Sequence, residues 1–554
     1  MIYKIVKIGT LFTLCFCLFR CGEIHNAGDK VYQGYEEARN NSVSVNEALA
    51  RSQNYMNAWL LHADPETGLI PRNLDGGKGN DLWNARDCAA DNYPFLVLTS
   101  FFTDREKYNG IMLDILESEK LYTSRVGALP DTYSFSKRGF EHDEISMDRI
   151  VFGTSEYIKD GLLPLIEWLG ESPWSDRMMS MLMDLDEHID VAGGLDDKSF
   201  GNSPQPEVNG ELLQILSRVY WETGDERYLE WACKIGDYYL LGENYPLTGL
   251  DYLRLRDHGC ELVAGLCELY TSLHYADPEK KEEYQPSLHR LLDYILKYGR
   301  NPDGLFYNAI NPQTGQVIDS AIADTWGYTL NGYLSVYQID SVPMYKKAVE
   351  TIFSNLHKYK NYNWERNGAD GYADAIEGCI NIMNRIPDPN ASDWVESEIK
   401  VMWSLQDSSH RPEAQQWKNN GVIEGWYGDG NFARTSIMYA LWKTGGCYAL
   451  PWDENLNFGA KQMNDSLLVT INSKDEWQGK LHFDKKRHSV QMKLPVDWPR
   501  INQFPEWFTV DPEKQYKISM GDSVKTYSGR DLINGIEISV GPQKSVQLII
   551  SIST

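Results

Sequence analysis

The 554-residue chain carries 79 acidic against 53 basic residues, a formal net charge of −26, which excludes a nucleic-acid partner because phosphate binding needs a basic footprint. Its 42% apolar and 12% aromatic content excludes a mainly disordered protein, and the length suffices for two domains with substantial cores. The 17 tryptophans and 33 tyrosines supply aromatic faces with a polar edge, which suit sugar rings as well as ordinary cores.

Lys4 and Lys7 precede an apolar run, Ile8 to Phe19, which has the length of a secretory h-region and is short for a membrane span. Residues 1–21 therefore read as a signal peptide of lipoprotein type. Leu18-Phe19-Arg20-Cys21 resembles a lipobox with Cys21 as the lipidated residue, with Arg20 where a small residue is usual. Cys17, three after Leu14, competes with it, as does cleavage without lipidation. The expectation is export to the periplasm or outer membrane of a Gram-negative bacterium, with membrane attachment through the lipid alone. Residues 22–44 read as a polar spacer. The six cysteines beyond the leader form no CxxC pair and no His-Cys zinc spacing, so neither a metal nor another cofactor is expected.

A first helix is expected from Val45 to about Leu61, on the spacing of Ala48, Tyr55, Met56 and Trp59, with Ser44 or Asn46 as its cap. A long loop then delivers Trp83, Asn84, Arg86 and Asp87 to the next helix. From there a pattern repeats. Carboxylate, amide or aromatic residues open a helix whose body is small and apolar, at Asp91, Glu156, Glu211, Asp257, Asp324, Asp374 and Asp429. Helices with more charge and a narrower apolar stripe alternate with these, such as Glu226 to Leu240 and Lys281 to Tyr298. The period marks an array of six or seven α/α hairpins over residues 45–450, and an open solenoid gives a similar count. The loop from Thr123 to Ile150 holds an acidic cluster whose spacing does not fit a calcium loop.

After Pro451 the pattern changes to short alternating or clustered apolar runs divided by Gly, Pro and Asp turns, at 466–472, 489–494, 515–519, 536–540 and 546–551. Residues 451–554 thus read as a small antiparallel β-sandwich. Its aromatic stretch from Asn502 to Phe508 reads as a contact with the helical domain.

The stretch Val208-Asn209-Gly210-Glu211 through Thr223-Gly224-Asp225 to Tyr228 resembles unsaturated glucuronyl hydrolases, in which an acidic residue opens a helix that ends in a Thr-Gly-Asp turn. The chain as a whole resembles the six-hairpin glycosidases and toroid polysaccharide lyases of polysaccharide-degrading bacteria. That resemblance implies a mainly α fold, an (α/α)6 or (α/α)7 toroid followed by the β-sandwich. It also implies that an aspartate at a helix opening serves as general acid/base; this chain departs from that pattern, with Glu207, Asn209 and Glu211 there.

Glycoside hydrolysis needs a proton donor and usually a second carboxylate. Glu207 with Glu211, and Asp374 with Glu377, are pairs at i,i+4 or i,i+3 that present two carboxylates on one side of a helix. The expected catalytic set is Glu207, Glu211, His258, Asp324 and Asp374. The expected substrate contacts are Tyr93, Arg256, Trp326, Tyr328, Trp426 and Arg434, with Arg434 clamping a uronate or pairing with Asp429. Acidic residues at helix starts also serve simply as caps. The leading expectation is an exo-acting glycoside hydrolase on uronic-acid-containing oligosaccharides. The alternatives are a lyase, using Tyr328 or Tyr93 with His258 and Asn209 while Arg434 neutralises the substrate carboxylate, and a glycan-binding lipoprotein without activity.

Overall fold

The computed structural model describes residues 3–74, 77–189, 206–256, 259–407 and 430–553, with side chains from residue 29 onward, those of 187–189, 366, 367 and 407 excepted. The chain divides into two compact units. One comprises Leu49–Tyr439 with Lys486–Glu506; the other comprises Met1–Ala48, Ala440–Lys485 and Trp507–Thr554.

Fourteen principal helices run in order. They are α1 (Tyr3–Leu60), α2 (Tyr93–Thr103), α3 (Ile111–Thr123), α4 (Met147–Glu156, continuing through a π-turn at Tyr157–Leu162 into Leu163–Leu169), α5 (Pro173–Ile189), α6 (Pro206–Thr223) and α7 (Glu226–Leu240). After these come α8 (Cys260–Ala276), α9 (Pro278–Tyr298), α10 (Trp326–Asp340), α11 (Pro343–Asn355), α12 (Ala369–Arg385), α13 (Pro389–Asp407) and α14 (Asn431–Thr444).

In the helical unit the even-numbered helices form an inner ring. The π-turn Ala85–Asn92 that leads into α2 packs on α4, and α4 on α6, α6 on α8, α8 on α10 and α10 on α12. Thr435 of α14 then donates to the Ala373 carbonyl of α12 at 3.1 Å. The Gly430 N–H donates to the Asp91 carbonyl at 2.7 Å and closes the circle. Among the described residues the ring therefore has seven inner helices. Each has an outer partner, the last being the end of α1, where Tyr55 stacks on Phe432 with ring centroids 5.8 Å apart and Ser52 donates to the Ala433 carbonyl. Of the six or seven hairpins expected, seven are present.

Small residues set the spacing of the inner helices. Gly210 of α6 faces the Glu261–Leu262 backbone of α8, and Gly327 of α10 faces Gly378 of α12, so closely that a Cβ at either glycine would collide with backbone. The inner helices are buried nearly all round, whereas the outer ones carry one apolar stripe, as expected for two concentric layers.

The second unit holds two antiparallel sheets. One has five strands in the spatial order Leu456–Met463, Ser466–Ser473, Lys544–Ile552, Gln515–Met520, Ser523–Ser528; the other orders Ile536–Val540, Trp477–His482, Tyr448–Leu450. The early part of α1 packs on the edge strand of the larger sheet: Asn41 donates to the Ala460 carbonyl at 2.8 Å and Asn46 to the Leu456 carbonyl at 2.9 Å. Residues 29–44, read from the sequence as part of a spacer, are thus helical and docked.

Residues 486–506 also depart from expectation. The apolar run at 489–494 is no strand: a helical turn occupies Arg487–Val490. The segment docks against the inner helices through its buried residues. Gln491 donates to the Glu167 and Trp168 carbonyls of α4, Trp498 donates to Glu268 of α8 at 3.0 Å, and Asn381 of α12 donates to the Arg500 carbonyl. No helix among the described residues is long and apolar enough to cross a membrane.

Candidate functional site

Polar residues of the inner helices meet in two groups. The first is built by α4, α6 and α8. Carboxylate oxygens of Glu156, Glu207 and Glu211 lie within 4.8 Å of one another; Glu156 and Glu211 are buried, and Glu207 is partly exposed. Ser155 donates to Glu211 Oε2 at 2.5 Å. Lys159, buried one turn further along α4, reaches Asp160 Oδ1 and Glu261 Oε1, each at 2.6 Å, and Gln214 donates to the other Glu261 oxygen. The π-turn begins at Tyr157, between Glu156 and Lys159, so these two residues stand off their usual α-helical register; such turns recur at functional sites.

Burial dominates the electrostatics of this group. It raises the pKa of Glu156, and the Glu211 charge raises it further while Arg86, 3.6 Å away, pulls the other way. Burial likewise holds Glu211 well above the carboxylate range, reinforced by Glu207 and Asp160 and opposed by Lys159 and Ser155. For Lys159 burial works against the charge, yet Asp160, Glu261 and Glu211 more than offset it and the ammonium stays protonated. Carboxyls kept protonated near neutral pH are the form a general acid requires.

The second group is built by α10, α12 and α14. Arg434 reaches Asp374 Oδ1 at 2.8 Å and Glu377 Oε2 at 3.0 Å, and the Tyr328 hydroxyl sits between the same two carboxylates, 2.7 Å from Asp374. Burial pushes the Glu377 carboxyl up to about 7 against the pull of Arg434. Asn502 of the inserted segment joins the two groups. Its N–H donates to Glu377 Oε1 at 2.7 Å, its amide donates to Asp160 Oδ1 at 2.8 Å, and its Oδ1 accepts from Arg434 at 2.6 Å. It does so with φ of 59°, a left-handed conformation that asparagine tolerates better than most residues.

The structure therefore brings together Glu207, Glu211, Asp374, Tyr328 and Arg434 of the expected set at the inner ends of neighbouring helices. His258 and Trp426 lie outside the described residues, as do Asp257 and Asp429. Three expectations are corrected. Tyr93 is a packing residue: it is buried, donates to the Met112 carbonyl at 2.5 Å and accepts from Trp174. Trp326 is fully buried edge-on against Trp394, which leaves no face for a sugar. Arg434 is fully buried and engaged with Asp374, Glu377, Asn431 and Asn502, so it is no clamp for a substrate carboxylate. Asp324 accepts the Thr325 N–H at 2.9 Å immediately before α10. Arg256 lies towards Asp319 of the strand Val317–Ile322, whose carboxyl is lowered by the Asn308 amide, the Ala321 N–H and the Arg256 charge.

Sequence reasoning missed the part played by Glu156, Ser155, Lys159, Glu261 and Asn502. Lys159 carried a signal: a lysine one turn after Glu156 in an otherwise apolar helix has to be paired. Asn502 carried none, since its partners are 68 to 342 residues distant.

Two groups of ligand atoms among the described residues are close enough to hold a metal ion: Glu156 with Glu207 and Glu211, and His488 with Asp497 and Glu506. In the second group Asp497 is committed to Arg385 and Arg500, at 3.0 and 3.1 Å.

No protein-family model and no curated protein matches the chain. Similar solved structures include the unsaturated glucuronyl hydrolase of Bacillus sp. GL1, with 13% identity and a TM-score of 0.35 over 54% of this chain and 86% of that one. A family 76 glycoside hydrolase from a bovine Bacteroides thetaiotaomicron strain shares 12% identity with a TM-score of 0.40 over 72% and 78% of the two chains. Cellobiose 2-epimerase from Bacillus thermoamylovorans shares 14% with a TM-score of 0.40 over 57% and 87%. These superpositions are partial; the toroid stands on the ring closure described above.

Proposed function

We propose that the protein is a glycoside hydrolase acting on acidic, uronic-acid-containing oligosaccharides. The observation that carries this reading is the convergence of Glu156, Glu207 and Glu211 from two inner helices, with burial keeping two of them protonated. Glu207, the partly exposed member, passes a proton to the glycosidic oxygen and takes up in its place the proton of Glu211, one turn behind on the same helix face. Asp374, at the exposed edge of the second group with a side chain 15% accessible, is the carboxylate assigned to the attacking water. Asn502 fixes the two groups relative to each other through Asp160 and Arg434.

A β-elimination needs a tyrosine or histidine base free to reach the substrate and a cation over its carboxylate. Tyr93 is engaged in packing, and Arg434 and Tyr328 are held by Asp374 and Glu377. The test is incubation with uronic-acid oligosaccharides, following released reducing sugar together with ultraviolet absorbance. Release without a 4,5-unsaturated product supports hydrolysis; an absorbing product from intact polymer supports elimination; binding without either product supports a glycan-binding protein. Export with Cys21 as a lipidated residue is part of the same proposal, and the mass of the mature N-terminus tests it.

A further inference from the structure

We propose that a cavity beside Glu156 is an anion subsite that takes the carboxylate or sulfate group of an acidic sugar; the inference rests on the hydrolase reading only for the word sugar. The cavity has a volume of about 210 Å³ and is lined by Arg72, Arg86 and Arg149 against Asp87 and Asp131. It is smaller than the ~300–1,000 Å³ of sites that enclose drug-sized ligands, which suits one charged group with its ring.

Three arginines against two aspartates make this spot locally positive in a chain of net charge −26. The exposure is divided by sign. Arg72, Arg86 and Arg149 keep 36%, 40% and 31% of their side-chain surface, whereas Asp87 and Asp131 keep 1% each. The aspartates are thus sunk in the walls while guanidinium surface faces the opening. Asp131 is shared between Arg149, at 2.7 and 2.9 Å, and Arg125, at 2.8 Å, so its single charge serves two cations.

Arg86 lies over the Phe152 ring, its Cζ 4.7 Å from the centroid, with Nε 3.6 Å from Glu156. It stands between the cavity and the three-carboxylate group, so an anion bound there would lie one guanidinium away from the proposed proton donors. The helical run that starts at Ala85 and continues into α2 opens on the same cavity, adding the positive end of its dipole. Gly153 permits this approach of α4, since an added Cβ would come within 3.2 Å of the Ala85 side chain.

Titration of the full-length protein with glucuronate, glucose 6-sulfate and glucose, read by calorimetry, tests the proposal. Either anion is expected to bind and glucose to bind at least tenfold more weakly; which anion binds identifies the charged group. Arg86→Ala is expected to weaken anion binding at least tenfold, Arg86→Lys less, and Arg72→Ala provides a second variant if the first does not fold. Binding of both glucuronate and glucose 6-sulfate no tighter than that of glucose, or unchanged anion binding in folded Arg86→Ala and Arg72→Ala, overturns it. Because binding is read without turnover, anion affinity in a protein that releases no sugar counts against the hydrolase reading and leaves the subsite standing.

Discussion

The two carboxylate groups on the inner helices are alike in residue type, yet they differ in compensation. Asp374 and Glu377 share a buried arginine, a tyrosine hydroxyl and a backbone N–H. Glu156, Glu207 and Glu211 crowd together, with the Arg86 guanidinium 3.6 Å from Glu156. Glu377, fully buried with the arginine at 3.0 Å, works as part of the framework that holds Asp374 at its exposed edge; a buried acid beside other acids retains a proton it can deliver. What an acidic residue does at a helix opening is therefore decided by the neighbouring helix.

Substitutions separate the two groups. The largest effect is expected for Glu211→Gln, which keeps volume and hydrogen bonding but removes the proton: hydrolysis falls ~10²–10⁴-fold, with a melting temperature equal to or above wild type because a buried acid has been removed. Arg434→Met should do the reverse, with a loss of stability of about 3–5 kcal/mol in denaturant unfolding, since Asp374 and Glu377 are left unpaired.

Glu377 gives a pH test. Its folded pKa, about 7, lies above the ordinary 4.5, so its contribution to stability is fully present below 4.5 and is lost as pH rises through 7. Wild type should lose on the order of 3 kcal/mol through this group between pH 4 and pH 8. Glu377→Gln, in which Asp374 still partners Arg434, should lack that part of the slope. The smallest effect is expected at Asn502. Asn502→Ala should cost about 1–3 kcal/mol from unpaired buried groups. Asn502→Gly should cost somewhat less than Asn502→Ala, because glycine accepts the positive φ without strain.

The ring was legible in the sequence because its two layers differ in composition. Small apolar inner helices behind polar openings alternate with charged outer ones, and the seven openings correspond to seven inner helices. The direction of a side chain was not legible on helices buried all round: Trp326 and Tyr328 are two residues apart, and the first packs against Trp394 while the second reaches Asp374. Pairing was legible only when local. Glu207 and Glu211 share a helix, but Arg434 finds Asp374 across 60 residues and Asn502 finds Asp160 across 342. The segment 486–506 misled because a run such as Ser489 to Leu494 looks like a strand when the surface that buries it is a set of distant helices.

The most direct measurement of the central claim is sugar release from uronic-acid oligosaccharides by wild type and by Glu207→Gln, with melting temperature recorded on the same samples. Release by wild type that falls at least ~10²-fold in a variant of unchanged stability is the predicted result. Equal release from both proteins, or none from either, contradicts the assignment of chemistry to this carboxylate group.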